Sequence, residues 1–135
     1  MRIIVCVDDN LGMLFNNRRQ SRDRMLIEDI FKNAQSIMIN SFSVKLFTDY
    51  SDRVTMDDKF LTNANKGDVC FVEDQLLTPY LDEIEELTLY KWNRKYPADF
   101  CLDLDINDWK MVKQEEFLGK SHDKITKEIY IRSVI

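Results

Sequence analysis

Apolar residues along the chain fall into short continuous runs and into stripes with helical spacing. The run Arg2 to Val7 is β-branched and ends in Asp8-Asp9-Asn10, which predicts a buried central strand followed by a turn. The polar stretch from Leu11 to Arg22 is irregular and too long for a tight turn. We therefore expect a loop there that is a candidate for function.

The following elements alternate between helix and strand. Ser21 or Asp23 can cap a helix that runs to about Asn33, because apolar positions recur at helical spacing beyond them. Further strands are predicted at 36–39, 53–56, 69–72 and 87–92, and further helices at 41–49, 59–64 and 80–86. Such alternation predicts a mostly parallel sheet with helices on both faces.

The last forty residues break this alternation. Runs at 100–102, 109–112 and 126–131 indicate strands separated by polar turns, and an antiparallel pair would complete the sheet. The length of 135 residues suits one domain, and 44% hydrophobic with 32% charged residues is typical of a globular protein. The sequence therefore predicts a single α/β domain over residues 1–135, with a mostly parallel central sheet, flanking helices and an antiparallel C-terminal hairpin.

Charge and hydropathy exclude some partners. The net charge of −5 repels a phosphate backbone, so we expect no nucleic-acid partner. No apolar stretch approaches the roughly 18 residues that span a bilayer, and the N-terminal run lacks the parts of a signal peptide. We expect a cytoplasmic protein without a membrane partner.

The cysteines and the single histidine give little sign of a metal site. Cys6, Cys70 and Cys101 are far apart and flanked by strand-type residues, which favours reduced thiols in the core. His122 has no visible partner and is interpreted as a turn residue, although it could act as an acid or base. No cysteine pair has metal-ligand spacing, so no metal is expected.

Several segments have the order and spacing of one known family. They are Val5–Asp8 with Gly12-Met13, Ile37-Met38, Glu86–Trp92 through Asp99-Phe100, Asp105–Trp109, and Ser121–Asp123 leading into Lys127–Arg132. In this arrangement the chain resembles the dihydrofolate reductases, apart from about residues 49–66, where it is shorter. The resemblance implies a mainly parallel sheet with an antiparallel C-terminal strand, as the apolar pattern also predicts.

The resemblance also implies a catalytic residue. In that family a carboxylate at the start of the first helix holds the pterin ring and assists its protonation, while NADPH supplies hydride. Asp23 stands at this position and is the candidate catalytic residue. The alternative is that Asp23 only caps the helix and satisfies a free amide.

Arginines beside Asp23 are candidate ligand-binding residues. Arg18, Arg19 and Arg22 could hold a small anion or a nucleotide, because guanidinium groups match phosphate and carboxylate geometry. The alternative is a solvated loop that pairs with Glu28 and Asp29 on the helix.

The cofactor side departs from the family. The family packs its cofactor against a glycine pair, which lets the backbone approach the ligand, and that pair falls here on Val72-Glu73, followed by Asp74. Carboxylates there would repel a pyrophosphate. The phosphate contacts after the second strand fall on Asn40, Ser41 and Phe42, without a lysine or arginine. We therefore expect no bound cofactor.

These features lead to competing hypotheses. The first is a dihydrofolate reductase-like protein that has lost NADPH-dependent activity and binds a small molecule or a protein partner. The alternatives are an active NADPH-dependent pterin or dihydrofolate reductase with an altered cofactor site, and a structural or regulatory interaction module. The chain is also similar to small bacterial proteins labelled ribonuclease Z, but a two-metal hydrolase needs several histidines and this chain has one.

Overall fold

The computed structural model describes residues 1–132. The strands and α-helices in chain order are β1 Arg2–Val7, β2 Gly12–Phe15, β3 Arg18–Arg19, α1 Arg24–Asn33, β4 Ile37–Ile39, β5 Val54–Met56, α2 Phe60–Asn63, β6 Val69–Phe71, β7 Glu86–Lys91, β8 Phe100–Cys101, β9 Trp109–Phe117 and β10 Ile125–Arg132. Three 3-10 segments lie at Ser41–Arg53, Thr78–Glu83 and Ile106–Asp108.

The main sheet has seven strands in the order β5-β4-β6-β1-β7-β10-β9. The first five strands of this order pair in parallel, whereas β10 is antiparallel to β7 and β9 is antiparallel to β10. The predicted α/β fold, with a mostly parallel sheet and an antiparallel C-terminal hairpin, is confirmed.

The stretch Leu11 to Arg22, predicted to be an irregular loop, contains a β-hairpin. Strands β2 and β3 pair across Asn16 and Asn17, which both have positive φ (51° and 60°), as a tight hairpin turn requires. The predicted strand at residue 100 becomes β8 and joins this hairpin in a separate three-stranded sheet. The main sheet therefore carries a small second sheet beside the carboxyl end of β1.

Helix α1 begins where the sequence predicts. Asp23 is its N-cap, with extended backbone (φ −153°) and a side chain that accepts a hydrogen bond from the Met25 amide. The predicted helices at 41–49 and 80–86 are 3-10 segments instead. In the first of them, Phe47 and Tyr50 leave the helical φ/ψ region and pack on Phe31 of α1, so tertiary contacts override local preference.

Apolar residues pack on both faces of the main sheet. Helix α1 covers one face with Leu26, Ile27, Ile30 and Phe31. On the other face lies a second cluster that includes Val5, Phe60, Leu77 and Leu87. No helix within residues 1–132 is long and apolar enough to cross a membrane.

The cysteines only partly match the core prediction. Cys70 is buried and Cys6 is half-buried, but Cys101 is exposed on β8. The prediction fails at Cys101 because β8 lies in the small second sheet and not in the main one.

Candidate functional site

The candidate site lies at the carboxyl ends of β1, β6 and β7, where they meet the N-terminus of α1. Ligands of open α/β sheets bind at this edge. Its floor is apolar and its rim is polar; the lining residues include Cys6, Leu26, Phe71, Trp92, Arg19, Ser21, Arg22, Asp23 and Glu73. The cavity that these residues line is small, about 20 Å³.

Asp23 is fully engaged by the protein. Its side chain accepts hydrogen bonds from the backbone amides of Met25, Lys120 and Ser121, each at 2.9 Å, and from the Ser121 hydroxyl at 3.2 Å. His122 Nδ1 lies 2.8 Å from Asp23 Oδ2. Burial would raise the pKa of Asp23, but the bonds from Lys120, His122 and Ser121 hold that pKa well below its usual range.

Lys120, Ser121 and His122 lie on the loop between β9 and β10, which comes close to Asp23. A Cβ added at Gly119 would lie 2.7 Å from Asp23 Oδ2 and 2.7 Å from the His122 carbonyl oxygen. Gly119 also donates its amide to that carbonyl at 2.9 Å. The close approach therefore requires glycine at this position.

His122 is not the isolated turn residue that the sequence predicts. It is only 5% exposed, and its ring stacks on Trp92 at a centroid distance of 4.6 Å. Its Nε2 lies 2.9 Å from the Ser21 hydroxyl and 3.4 Å from the Tyr96 hydroxyl. The prediction fails because the partners of the His122 ring, apart from its neighbour Ser121, are distant in sequence.

Glu73, which the resemblance places at the family's glycine pair, is paired with Arg19. The Arg19 guanidinium donates Nε to Glu73 Oε2 at 2.8 Å and Nη2 to Oε1 at 2.9 Å. The Ser43 hydroxyl donates to Oε1 at 2.7 Å. Burial and the Glu73 carboxylate raise the pKa of the nearby Cys6 thiol well above its usual value. The bidentate pair ties the β2–β3 hairpin to the end of β6.

The residue after Glu73 is also held by the protein. Asp74 accepts a hydrogen bond at 2.8 Å from the side-chain amide of Asn40, one of the residues that the resemblance places beside a cofactor phosphate. Beyond Asp74 the chain reaches a 3-10 segment of six residues, Thr78–Glu83, in place of the predicted helix.

A buried carboxylate, Asp8, anchors the segment between β1 and the hairpin. It accepts backbone hydrogen bonds from Asn10, Gly12 and Tyr96 and one from the Gln20 side chain. Burial would raise the pKa of Asp8, but the bonds from the Gly12, Asn10 and Tyr96 amides lower it. The position of Asp8 directly after a buried strand is the one sequence signal for this role.

The structure separates the three candidate arginines. Arg18 is exposed on β3 and does not line the cavity. Arg19 forms an ion pair with Glu73. Arg22 lines the cavity and is exposed to solvent. Arg22 has no carboxylate partner within residues 1–132. Asp29, expected to pair with this loop, instead meets Lys127 at 3.0 Å and Tyr90 at 2.7 Å.

A second cavity adjoins the first. It measures about 110 Å³ and shares Arg22, Asp23, Ile27 and Leu46 with the small cavity. The rest of its lining is Arg24, Asp49 and Tyr50. We call the two together the α1 groove, whose shared lining includes the apolar side chains of Ile27 and Leu46 and the exposed Arg22.

Comparison with known proteins relates the chain to one fold. No protein-family model and no curated protein sequence matches it. Among solved structures it is similar to dihydrofolate reductase from Enterococcus faecalis complexed with NADP(H) and RAB-propyl, with a TM-score of 0.68, 11% identity, and coverage of 98% of this chain and 96% of that one. These comparisons do not relate it to ribonuclease Z, and within residues 1–132 no three His, Cys, Asp or Glu side chains are grouped to hold a metal. The chain therefore has a dihydrofolate reductase-like fold.

Proposed function

We propose that this protein does not catalyse NADPH-dependent reduction and instead binds a small anionic molecule in the α1 groove. The observation that carries the first half is the bidentate ion pair between Arg19 and Glu73 at the position of the family's glycine pair. The observation that carries the second half is the guanidinium of Arg22, which has no carboxylate partner among residues 1–132 and lies beside apolar lining residues.

On the nucleotide side, the side chains present do not fit a dinucleotide. Glu73 is only 8% exposed, and it stands where the resemblance expects a glycine that lets the backbone approach the cofactor. A pyrophosphate entering there would have to break the Arg19 pair and would meet the like charge of Glu73. The six-residue 3-10 segment that follows also lacks the amide array that an α-helix N-terminus offers to phosphate.

On the pterin side, the Asp23 carboxylate has no free acceptor position to hydrogen-bond a pterin ring. Its carboxylate is 3% exposed and already accepts bonds from three backbone amides, one hydroxyl and His122. A pterin would have to displace several of these donors and leave them buried without acceptors, which costs about 1 to 3 kcal/mol for each group. This supports the loss of the ancestral chemistry.

The α1 groove suits a ligand with one anionic group and a small apolar body. Arg22 can take a carboxylate in a bidentate manner, while Ile27, Leu46 and Tyr50 provide apolar contact. Asp49 lies at the other side of the larger cavity and disfavours ligands with a second negative charge. A small monocarboxylate is therefore the ligand class that the groove fits best.

Titration with benzoate and with the uncharged isostere benzamide, followed by amide chemical shifts in NMR, tests this proposal. We expect saturable shifts around residues 22–27 and 46–50 with benzoate and at least tenfold weaker binding of benzamide. Arg22→Gln should remove the preference for benzoate, whereas Arg18→Gln, an exposed arginine outside the groove, should retain it.

Equal affinity for benzoate and benzamide, or an unchanged benzoate affinity in Arg22→Gln, would contradict the proposed anion site. Benzoate shifts confined to the opposite end of the sheet would contradict its location.

A further inference from the structure

We propose that Ser21 is a nucleophile for acyl transfer, activated by His122, which Asp23 orients. This activity goes beyond ligand binding in the α1 groove and does not depend on it. The carrying observation is a continuous hydrogen-bonded chain of three side chains, with Ser21 Oγ 2.9 Å from His122 Nε2 and His122 Nδ1 2.8 Å from Asp23 Oδ2.

The surroundings of Asp23 fix the tautomer of His122. The depressed pKa keeps the Asp23 carboxylate ionised, so it can only accept hydrogen bonds. Nδ1 must therefore carry the proton that points at Asp23, and in the neutral ring the lone pair of Nε2 is then directed at the hydroxyl of Ser21. This is the arrangement of nucleophile, base and orienting carboxylate that serine hydrolases use on unrelated folds.

The imidazole is also held in position. Trp92 stacks on one face of the ring, with 28° between the planes. The Tyr96 hydroxyl is a second group near Nε2, at 3.4 Å, and the shorter contact to Ser21 makes that serine the main partner. A base whose ring cannot rotate keeps its lone pair aligned with the nucleophile.

Ser21 is half-buried and lines the small cavity, which is where a substrate carbonyl would have to enter. Within residues 1–132 the backbone amide of Arg22, the residue after the nucleophile, has no acceptor in the protein. It is the candidate donor for the oxyanion. Because the cavity is small, we expect a preference for short acyl groups.

The reaction balances without a cofactor. Ser21 Oγ bonds to the ester carbonyl carbon while its proton passes to His122 Nε2. The carbon–oxygen bond to the alcohol then breaks, and His122 returns the proton to the leaving oxygen. Water attacks the acyl-serine with His122 again accepting a proton, and Ser21 recovers that proton as the carboxylic acid leaves.

Covalent labelling with an alkyl fluorophosphonate tests the nucleophile directly. Its phosphorus accepts Ser21 Oγ, fluoride leaves, and the serine proton goes to His122. We expect one label per folded chain, mapped to Ser21 by peptide mass spectrometry, and hydrolysis of p-nitrophenyl acetate at least tenfold faster than of p-nitrophenyl butyrate.

Variants separate activation from folding. Ser21→Ala should lose the label and the esterase activity, and His122→Gln should slow labelling of Ser21 at least 100-fold while urea unfolding shows that it remains folded. Ser36→Ala, an exposed serine before β4 at the opposite end of the sheet, should label like the unsubstituted protein.

A label on another residue, no label on the folded protein, or an unchanged labelling rate in folded His122→Gln would overturn the nucleophile assignment. Benzoate binding without labelling would overturn this inference and leave the proposed anion site standing. Labelling of Ser21 together with equal affinity for benzoate and benzamide would support this inference and overturn the proposed anion site.

Discussion

Asp23 combines a structural and an electrostatic role at one residue. It caps α1 through the Met25 amide and also binds the loop between β9 and β10 through Lys120, Ser121 and His122. Its position at the head of α1 could be predicted, because the resemblance and the capping rule both indicate it. Its partners on the β9–β10 loop could not, since they lie nearly one hundred residues away and no local pattern marks them.

Replacing the Asp23 carboxylate should be costly and dependent on pH. Asp23→Asn turns an amide group toward backbone donors, and we expect a loss of about 2 to 3 kcal/mol in unfolding free energy at pH 7. Because the folded pKa lies below the unfolded one, the carboxylate stabilises the fold above about pH 4 and loses this effect as the pH falls.

Urea unfolding at pH 7, 5, 4 and 3 measures this contribution. The difference between Asp23→Asn and the unsubstituted protein should stay constant from pH 7 to 5 and shrink below that. Asp123→Asn, which changes a neighbouring exposed carboxylate, serves as the control and should have little effect. A difference that grows on acidification would show that the ionised Asp23 does not stabilise the fold.

At the scale of elements, hydrophobic periodicity predicts regular strands and α1 but not the β2–β3 hairpin. The runs at β1, β6 and β7 are apolar because both faces of these strands are covered. Met13 and Leu14 of β2 pack into the core, and the polar strand β3 is held through Arg19 and Glu73, which are 54 residues apart. Arg19 was predicted to bind a ligand because its partner Glu73 is too distant in sequence to be identified from a local pattern.

The Arg19–Glu73 pair should hold the hairpin against the main sheet. We expect Arg19→Met to lower the unfolding free energy by about 3 kcal/mol, because Glu73 is left buried without its partner. The double variant Arg19→Met/Glu73→Met should recover part of that loss, with a coupling energy of at least about 1 kcal/mol in a double-mutant cycle.

The exposed pair Lys113–Glu115 on edge strand β9 is the matched control. A cycle on that pair should give no measurable coupling, because solvent screens it. Additive losses at Arg19 and Glu73 would contradict a docking role for their ion pair.

At the scale of the whole molecule, the fold resembles that of dihydrofolate reductase, but only a small cavity lies at the carboxyl ends of the central strands. The seven-stranded order and its antiparallel end follow from patterning and resemblance together. The residues that line the small cavity are held by long-range pairs such as Arg19–Glu73 and Asp23–His122. The sequence predicts carboxylates that would repel a cofactor phosphate. It does not show that Glu73 is paired with Arg19, or that the Asp23 carboxylate is already hydrogen-bonded on all sides by the protein.

Calorimetric titration with NADPH tests the central claim most directly, with the Enterococcus faecalis dihydrofolate reductase as the positive control in the same buffer. Our account predicts no saturable heat for this protein up to about 1 mM NADPH, which corresponds to a binding free energy no stronger than about −4 kcal/mol. Saturable binding with a micromolar dissociation constant, near −8 kcal/mol, would contradict it.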